Sequence, residues 1–414
     1  MPAGSSKAAS PSEFALRAAS SFAKIDAASW DACANPPAAG LSGKPRGSCD
    51  DDPFNPFVSH AFLSALEESK SAVARAGWSP CPLLVEDVAG ELVACAPTYL
   101  KSHSMGEYVF DHAFADAFAR AGGRYYPKLQ VAVPFTPVTG KRLLVRNGPE
   151  IEKARESLIG GLASLMRQAG ASSTHVTFAS RADWDALASF GFLKRLDRQF
   201  HWLNAGYQTF NDFLGALASR KRKVIRRERR EALRNGIAIE WVSGSDITEA
   251  HLDAFFAFYM DTGSRKWGRP YLTRPFFSLL AEKMRERLLF IMAKRAGRHV
   301  AGAINLIGDL ALYGRNWGCI EDHPFLHFEV CYYQAIEFAI ARKLARVEAG
   351  AQGEHKLARG YVPVETHSAH LFADPRLARA VADYLDHERH YVEIGNRELA
   401  EAVPFRRAEP ERED

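Results

Sequence analysis

The sequence lacks most of the signatures that announce a chemistry. No serine stands in a GxSxG elbow, no lysine closes a GxxxxGK[ST] phosphate loop, and no HExxH pair is present. Covalent serine catalysis is therefore not expected, and direct transfer assisted by a positioned base fits better. Cysteine is sparse and scattered: Cys33, Cys49, Cys81, Cys95, Cys319 and Cys331 form no CxxC pair. That spacing argues against a structural zinc site, and in a chain this long the thiols are expected to stay reduced. No apolar run approaches the ~20 residues that span a bilayer. The opening MPAGSSKAASPSEF has no secretory core, so a cytoplasmic protein is expected. A net charge of +4 is too small to imply nucleic-acid binding by itself.

At 414 residues the chain exceeds one ordinary core, which points to two domains. Residues 1–12 read as a disordered tail, Asn35–Pro53 as a loop and Ser59–Arg75 as an amphipathic helix with a serine cap. Leu83–Leu100 then reads as a hairpin around a glycine turn. Leu288–Leu306 repeats it without gaps: Gly90-x-x-Val93-Ala94-x-Ala96 matches Gly297-x-x-Val300-Ala301-x-Ala303. A second landmark follows in the same order, because Gly191-Phe192 precedes His201 by the interval that separates Gly360-Tyr361 from His370. Two matched landmarks predict a duplicated α/β unit, with halves at 13–204 and 205–388 and a C-terminal extension over 389–414. The first half carries an insertion at 101–146, dense in aromatics, that holds Lys101, His103, Tyr108 and Tyr126. Such a segment is either a substrate-facing loop or an internal packing device.

Three stretches could carry chemistry. Val347–Gly360 (VEAGAQGEHKLARG) packs glycines among Glu348, Gln352, Glu354, His355, Lys356 and Arg359, directly after a helix predicted over Phe328–Arg346. A buried helix that releases into a glycine-rich polar strand end is where α/β proteins put their sites. Ser219–Arg234 holds nine Lys or Arg against Glu228 and Glu231. As a helix it offers Arg222, Arg226 and Arg229 on one side to a phosphate. YGRNWG at Tyr313–Gly318 brings Tyr313, Arg315, Asn316 and Trp317 to a cleft wall. The pairs His323/His327 and His367/His370 lack a third ligand at a recognisable spacing, so no metal site is expected.

These stretches resemble a known family. Each half is similar to the acetyltransferase-related (GNAT) fold, and a tandem pair resembles the Fem peptidoglycan aminoacyltransferases. The nearest resemblance is to the FemAB-like, peptidoglycan biosynthesis/recognition family of N-acyltransferases. It is carried by SHAFLSALE, YLKSHSMGEYVFD, YYPKLQVAVPFTPVTG, YGRNWG, FLHFEVCYYQAIEFAI and EAGAQGEHKLARGY. The resemblance implies an α/β fold of two tandem GNAT-like domains, each a mixed sheet flanked by helices. It also implies transfer of an acyl or aminoacyl group from acyl-CoA or aminoacyl-tRNA onto an amine, with a cell-wall-related or phosphate-bearing acceptor. No complete [RQ]-x-x-G-x-[GA] pyrophosphate loop is present, and RNWG at Arg315–Gly318 fails at its last position. On this reading Glu354 or His355 is the base, with Glu329 in reserve. Lys356, Arg359, Arg222 and Arg226 would hold phosphates, and Gln352, Tyr313, Arg315, Asn316 and Trp317 would line the cleft. Two alternatives stay open: an acyl-CoA-dependent acetyltransferase of a small amine, and a non-catalytic phosphate- or RNA-binding protein that uses the basic helix alone.

Overall fold

The computed structural model describes residues 14–36, 53–267, 270–350 and 353–406. Gln352, Cys49, the tail expected over 1–12 and most of the loop before Pro53 lie outside them. The first half lays down β1 (Ala15–Ala18), β2 (Trp78–Pro80), β3 (Leu83–Glu86), β4 (Leu92–Ala96), β5 (Thr98–Lys101), β6 (Lys128–Val131), β7 (Leu144–Val145), β8 (Ser173–Ala179) and β9 (Leu193–Leu203). The second adds β10 (Ile237–Ser243), β11 (Leu288–Arg295), β12 (Arg298–Ile307), β13 (Ala311–Cys319), β14 (Arg346–Glu348) and β15 (Val362–Phe372).

The duplication read from the hairpins extends through the sheet. One sheet runs β1-β3-β4-β7, and the second half repeats that order as β10-β11-β12-β13. Both hairpins turn on a glycine at positive φ, Gly90 at 80° and Gly297 at 78°. Pro97 separates β4 from β5; it has no N–H to give a ladder, and the two pieces together match the unbroken β12. Registers agree as well: Ala94 faces Val145 as Ala301 faces Cys319, and Tyr99 faces Gln130 as Leu306 faces Tyr313. A parallel pair follows in each half, β6 with β8 and β13 with β14. The architecture is two tandem, matched α/β units.

The halves do not keep separate sheets. Eleven strands run β10-β11-β12-β13-β14-β9-β15-β8-β6-β5-β2, so each half's last strand pairs with the other half's parallel strand. His201 on β9 lies opposite Glu348 on β14, and His370 on β15 lies opposite His175 on β8. Between the exchanged strands, the pair Leu193–His370 is the counterpart of Val362–His201. The second landmark of the sequence thus sits where the two units interlock.

The largest core cluster draws on both halves, with Phe57 edge-on to Tyr313 at 5.3 Å and Phe62 edge-on to Phe276 at 5.8 Å. The serine-capped helix is shorter than its pattern suggested, His60–Glu68, and the Ser59 hydroxyl accepts from the Phe62 N–H. A terminal helix, Pro375–Glu401, starts at a cap from Asp374, packs on β9 and β15, and runs unbroken across the expected boundary at residue 388. Cys33, Cys81, Cys95, Cys319 and Cys331 are free thiols. Among the described residues no helix is long and apolar enough to cross a membrane.

Candidate active site

In the second half the parallel ladder stops early. β13 and β14 pair only from Ala311–Arg346 to Tyr313–Glu348, after which β14 ends while β13 continues to Cys319. A gap opens between parallel strands at their carboxyl ends, the position at which α/β sheets accept ligands. A bulge opposite Ile304 and Asn305 leaves Arg315 as the extra residue in β13, which turns Arg315 and its neighbour Asn316 to one crevice. RNWG is therefore strand, not the turn before a helix that holds a pyrophosphate. Gly318 lets this strand approach the helix Glu249–Trp267: a Cβ there would stand 2.2 Å from the Phe258 carbonyl oxygen.

Arg315 is half-buried over the Phe57 ring, and burial lowers its guanidinium to about 10. Its electrostatic neighbours are Tyr108, which reaches over from the insertion of the first half, and Glu348. Tyr313 is fully buried, and Trp317 stands edge-on to His327 at 5.3 Å. The crevice beside Arg315 and Asn316 has room for about 20 Å³, one water and no more.

Past the gap, Glu354–Arg359 forms a 3-10 turn that brings three predicted residues together. The buried Lys356 ammonium donates to the Ala349 and Gly350 carbonyls, both at 2.9 Å, and burial lowers it to about 8. His355 places Nε2 at 2.8 Å from the Tyr332 hydroxyl. Burial, then Arg359 and Lys356, hold this imidazole below its ordinary range, so it is neutral near pH 7. A Cβ on Gly353 would lie 2.7 Å from the His355 ring, and Gly353 has φ 109°, so only glycine leaves the ring this position. Tyr332 belongs to a wide π-turn, Glu329–Tyr333, inside the helix predicted over Phe328–Arg346, which ends at Ala341. Glu354 and His355 are both exposed.

The basic helix, Ser219–Ala232, closes the far side. Its buried face carries Ile225, Ala232 and, between them, Glu228. Glu228 accepts from Arg359 Nη2 at 2.9 and 3.0 Å and from the Tyr333 hydroxyl. Arg359 also donates to the His355 carbonyl at 2.7 Å and lies 3.5 Å from the Phe328 ring centroid. Its Nε is buried with no hydrogen-bond partner. Glu228→Gln, which keeps the shape but removes the charge, should cost about 1–3 kcal/mol in urea unfolding.

Beside this pair lies a cavity of about 310 Å³ lined by Arg220, Lys221, Val224, Ile225, Glu228, Ala358 and Arg359. Its size reaches the range of small-ligand sites, which the crevice does not. Arg222, Arg226 and Arg229 share one flank as their spacing predicts, but the cavity is on the other. Arg229 is bound to Glu329 at 2.9 Å and Glu337 at 2.7 Å. Glu329, the reserve base, is fully buried in that ion pair. The cavity cations Arg220 and Lys221 were not singled out by the sequence, since helix phase decides which arginines face inward and the charge run gives no phase.

Other predicted residues have internal roles. Lys101 Nζ donates to the Met105 carbonyl at 3.0 Å and sits 3.4 Å from Glu107, against the Trp78 ring. His103 Nε2 meets the Ala76 carbonyl at 3.1 Å, and the Tyr126 hydroxyl donates to Ser104 at 2.8 Å. Of that segment, Tyr108 neighbours Arg315, and Pro134, Phe135 and Thr136 line the crevice beside it. His323 pairs with Glu321 at 3.0 Å while His327 packs among rings. His370 Nδ1 lies 2.6 Å from His175 Nδ1, and His367 packs on Trp184.

Among the described residues the first half has no such gap. Where β13 carries Arg315–Trp317, the first half runs through 132–143, and this longer loop turns Arg142 inward. Arg142 is fully buried and donates to the carbonyls of Thr177 at 3.0 Å, Gly140 at 3.2 Å, Lys141 at 3.0 Å and Val138. The space between the parallel strands is plugged by a guanidinium.

The sequence matches the FemAB-like family, described as peptidoglycan biosynthesis/recognition, over residues 21–407. No curated relative matches it. Solved structures similar to this chain include FemX, at 11% identity and TM-score 0.48 over 76% of this chain and 93% of that one. L-PGS from Bacillus licheniformis is similar at 10% identity and TM-score 0.46, over 82% and 99%. A tandem GNAT protein from the clavulanic acid biosynthesis pathway is similar at 12% and 0.43, over 88% and 99%.

Proposed function

The chain belongs to the FemAB-like family and is a transferase of acyl or aminoacyl groups, and from that premise we propose that one active site, in the second half, carries the reaction. The division of the chain into units at Asn204/Ala205 is part of this proposal. The observation that supports it is the asymmetry of two matched frames. The β13–β14 gap adjoins Lys356, whose turn also carries His355 and the Arg359 of a cationic cavity, while its counterpart in the first half is filled by Arg142.

An amine that attacks an ester or thioester carbonyl must lose a proton, and negative charge grows on the carbonyl oxygen. His355 takes the proton. Tyr332 holds its Nε2, which leaves Nδ1 for the amine. Lys356, at the Ala349 and Gly350 carbonyls, fixes the segment that borders the gap and adds positive charge beside it. Arg220, Lys221 and the Nε of Arg359 hold a phosphate of the substrate in the 310 Å³ cavity. Arg315, with Tyr108 as its electrostatic neighbour, and Asn316 border the gap on the β13 side. The donor we favour is aminoacyl-tRNA rather than acyl-CoA. β13 lacks a pyrophosphate loop, and the outer face of the basic helix exposes Lys223, Arg226, Arg227 and Arg230 to a polyanion.

The test is transfer from each donor class to an amine acceptor bearing a phosphate, followed by mass spectrometry. Arg220→Glu with Lys221→Glu should raise KM for the phosphate-bearing substrate about tenfold or more and leave kcat within a few-fold. Unchanged KM removes the cavity from the reaction. A CoA-dependent rise in melting temperature, with no transfer from aminoacyl-tRNA, replaces the donor.

A further inference from the structure

At the outer edge of the eleven-stranded sheet, three residues distant in sequence converge. Glu240 stands on the edge strand β10, His299 on β12, and His251 in the first turn of the helix Glu249–Trp267. His299 Nε2 is 2.6 Å from Glu240 Oε1, and His251 Nε2 is 4.0 Å from the same oxygen. The imidazole centroids are 5.2 Å apart, and the three ligand atoms lie within 4.8 Å of one another. Lys294 donates to the other carboxylate oxygen at 2.7 Å, which keeps Oε1 turned toward both rings. The side chains of Glu240, His251 and His299 are 32%, 18% and 17% exposed, so water can reach the group.

We propose that Glu240, His251 and His299 form a binding site for a divalent transition metal. Two imidazole nitrogens and one carboxylate oxygen, with positions left for water, suit Zn²⁺, Ni²⁺ or Co²⁺ rather than Mg²⁺ or Ca²⁺. A metal about 2.0–2.2 Å from each ligand needs these atoms within ~4 Å of one another. Small rotations of two partly exposed side chains close the widest spacing to that value. The metal replaces the proton shared by His299 and Glu240. Ligation through His251 Nε2 puts that ring's proton on Nδ1, where Thr248 Oγ1 lies 3.0 Å away to accept it. The Thr248 N–H, which now donates to this Nδ1 at 3.2 Å, passes to solvent at the exposed helix start. The site ties an edge strand to the helix that packs on β13, so its effect is on stability, apart from transfer chemistry.

The full-length chain, stripped with EDTA and titrated with ZnCl₂ by calorimetry, should show one saturable site and a melting temperature that rises with zinc. His251→Ala and His299→Ala should each weaken binding at least ~10-fold, while His323→Ala, at a separate histidine–carboxylate pair, should not. Co²⁺ should give visible ligand-field bands that both variants lose. No saturable heat, or binding and cobalt bands that survive both substitutions, overturns the site. Neither result depends on activity, so the transfer reading stands or falls separately.

Discussion

His355→Ala should lower the rate of transfer by ~10²–10⁴-fold, with KM for both substrates within a few-fold. The imidazole is held by Tyr332 and stands on a turn that only Gly353 permits, so its loss removes a positioned base without opening a core. Glu354→Gln should leave the rate nearly unchanged, because that carboxylate is exposed and, unlike His355, has no neighbour among the described residues that positions it. A pH profile separates the base from a merely structural role. A base acts when neutral, and burial, Arg359 and Lys356 hold His355 below 6.5. The acid limb of kcat/KM should therefore fall below pH 6.5 and vanish in His355→Ala. On the alkaline side Lys356, at about 8, loses the charge that clamps the Ala349 and Gly350 carbonyls, so activity should decline as pH rises through 8. Lys356→Arg should move that limb up. A rate untouched by His355→Ala would sink the assignment, and loss in Glu354→Gln alone would transfer the role.

Much of this frame was legible in the sequence because local rules specify it. A glycine turn between two β-rich runs is a hairpin wherever it occurs, and Gly90 and Gly297 with their flanking Val and Ala marked two copies. The spacing from Gly191 to His201 and from Gly360 to His370 marked equivalent strands, β9 and β15. What those strands pair with was not legible. Each crosses to the other half, and no local signal says which of two like sheets a strand will join. The candidate site divided along the same line. His355, Lys356, Arg359 and Arg315 stand in glycine-rich stretches that could be picked out directly. Glu228 looked like a stray acid in a basic run, yet it is the buried partner of Arg359. Glu348, at the last rung of the β13–β14 ladder, was noted only as one carboxylate of a polar stretch. Its neighbours Arg346, His201 and Arg315 meet only after the sheet is assembled.

Arg142→Ala should cost about 3–5 kcal/mol of stability, the range expected when one member of a buried charged network is removed. The guanidinium is fully buried, and burial lowers it only to about 10, so it stays charged. Without it the carbonyls of Thr177, Gly140, Lys141 and Val138 lose their donor inside the sheet, and each such loss is worth about 1–3 kcal/mol before relaxation or entry of water. Asp183, which accepts the Arg142 and Leu143 N–H groups, keeps those bonds and the charge of Arg155 near it. Arg142→Lys should fall between, since one ammonium cannot serve four carbonyls. Urea unfolding gives these differences directly, and the exchanged strands predict that loss in the first half lowers one common transition rather than splitting it. In folded variant protein at low temperature, transfer should proceed near the wild-type rate, because the plug fills a gap that does no chemistry. A collapse of kcat in folded Arg142→Lys would mean that the first half takes part in the reaction. An unchanged urea midpoint would mean that water already serves those carbonyls and that the plug does not hold the strands together.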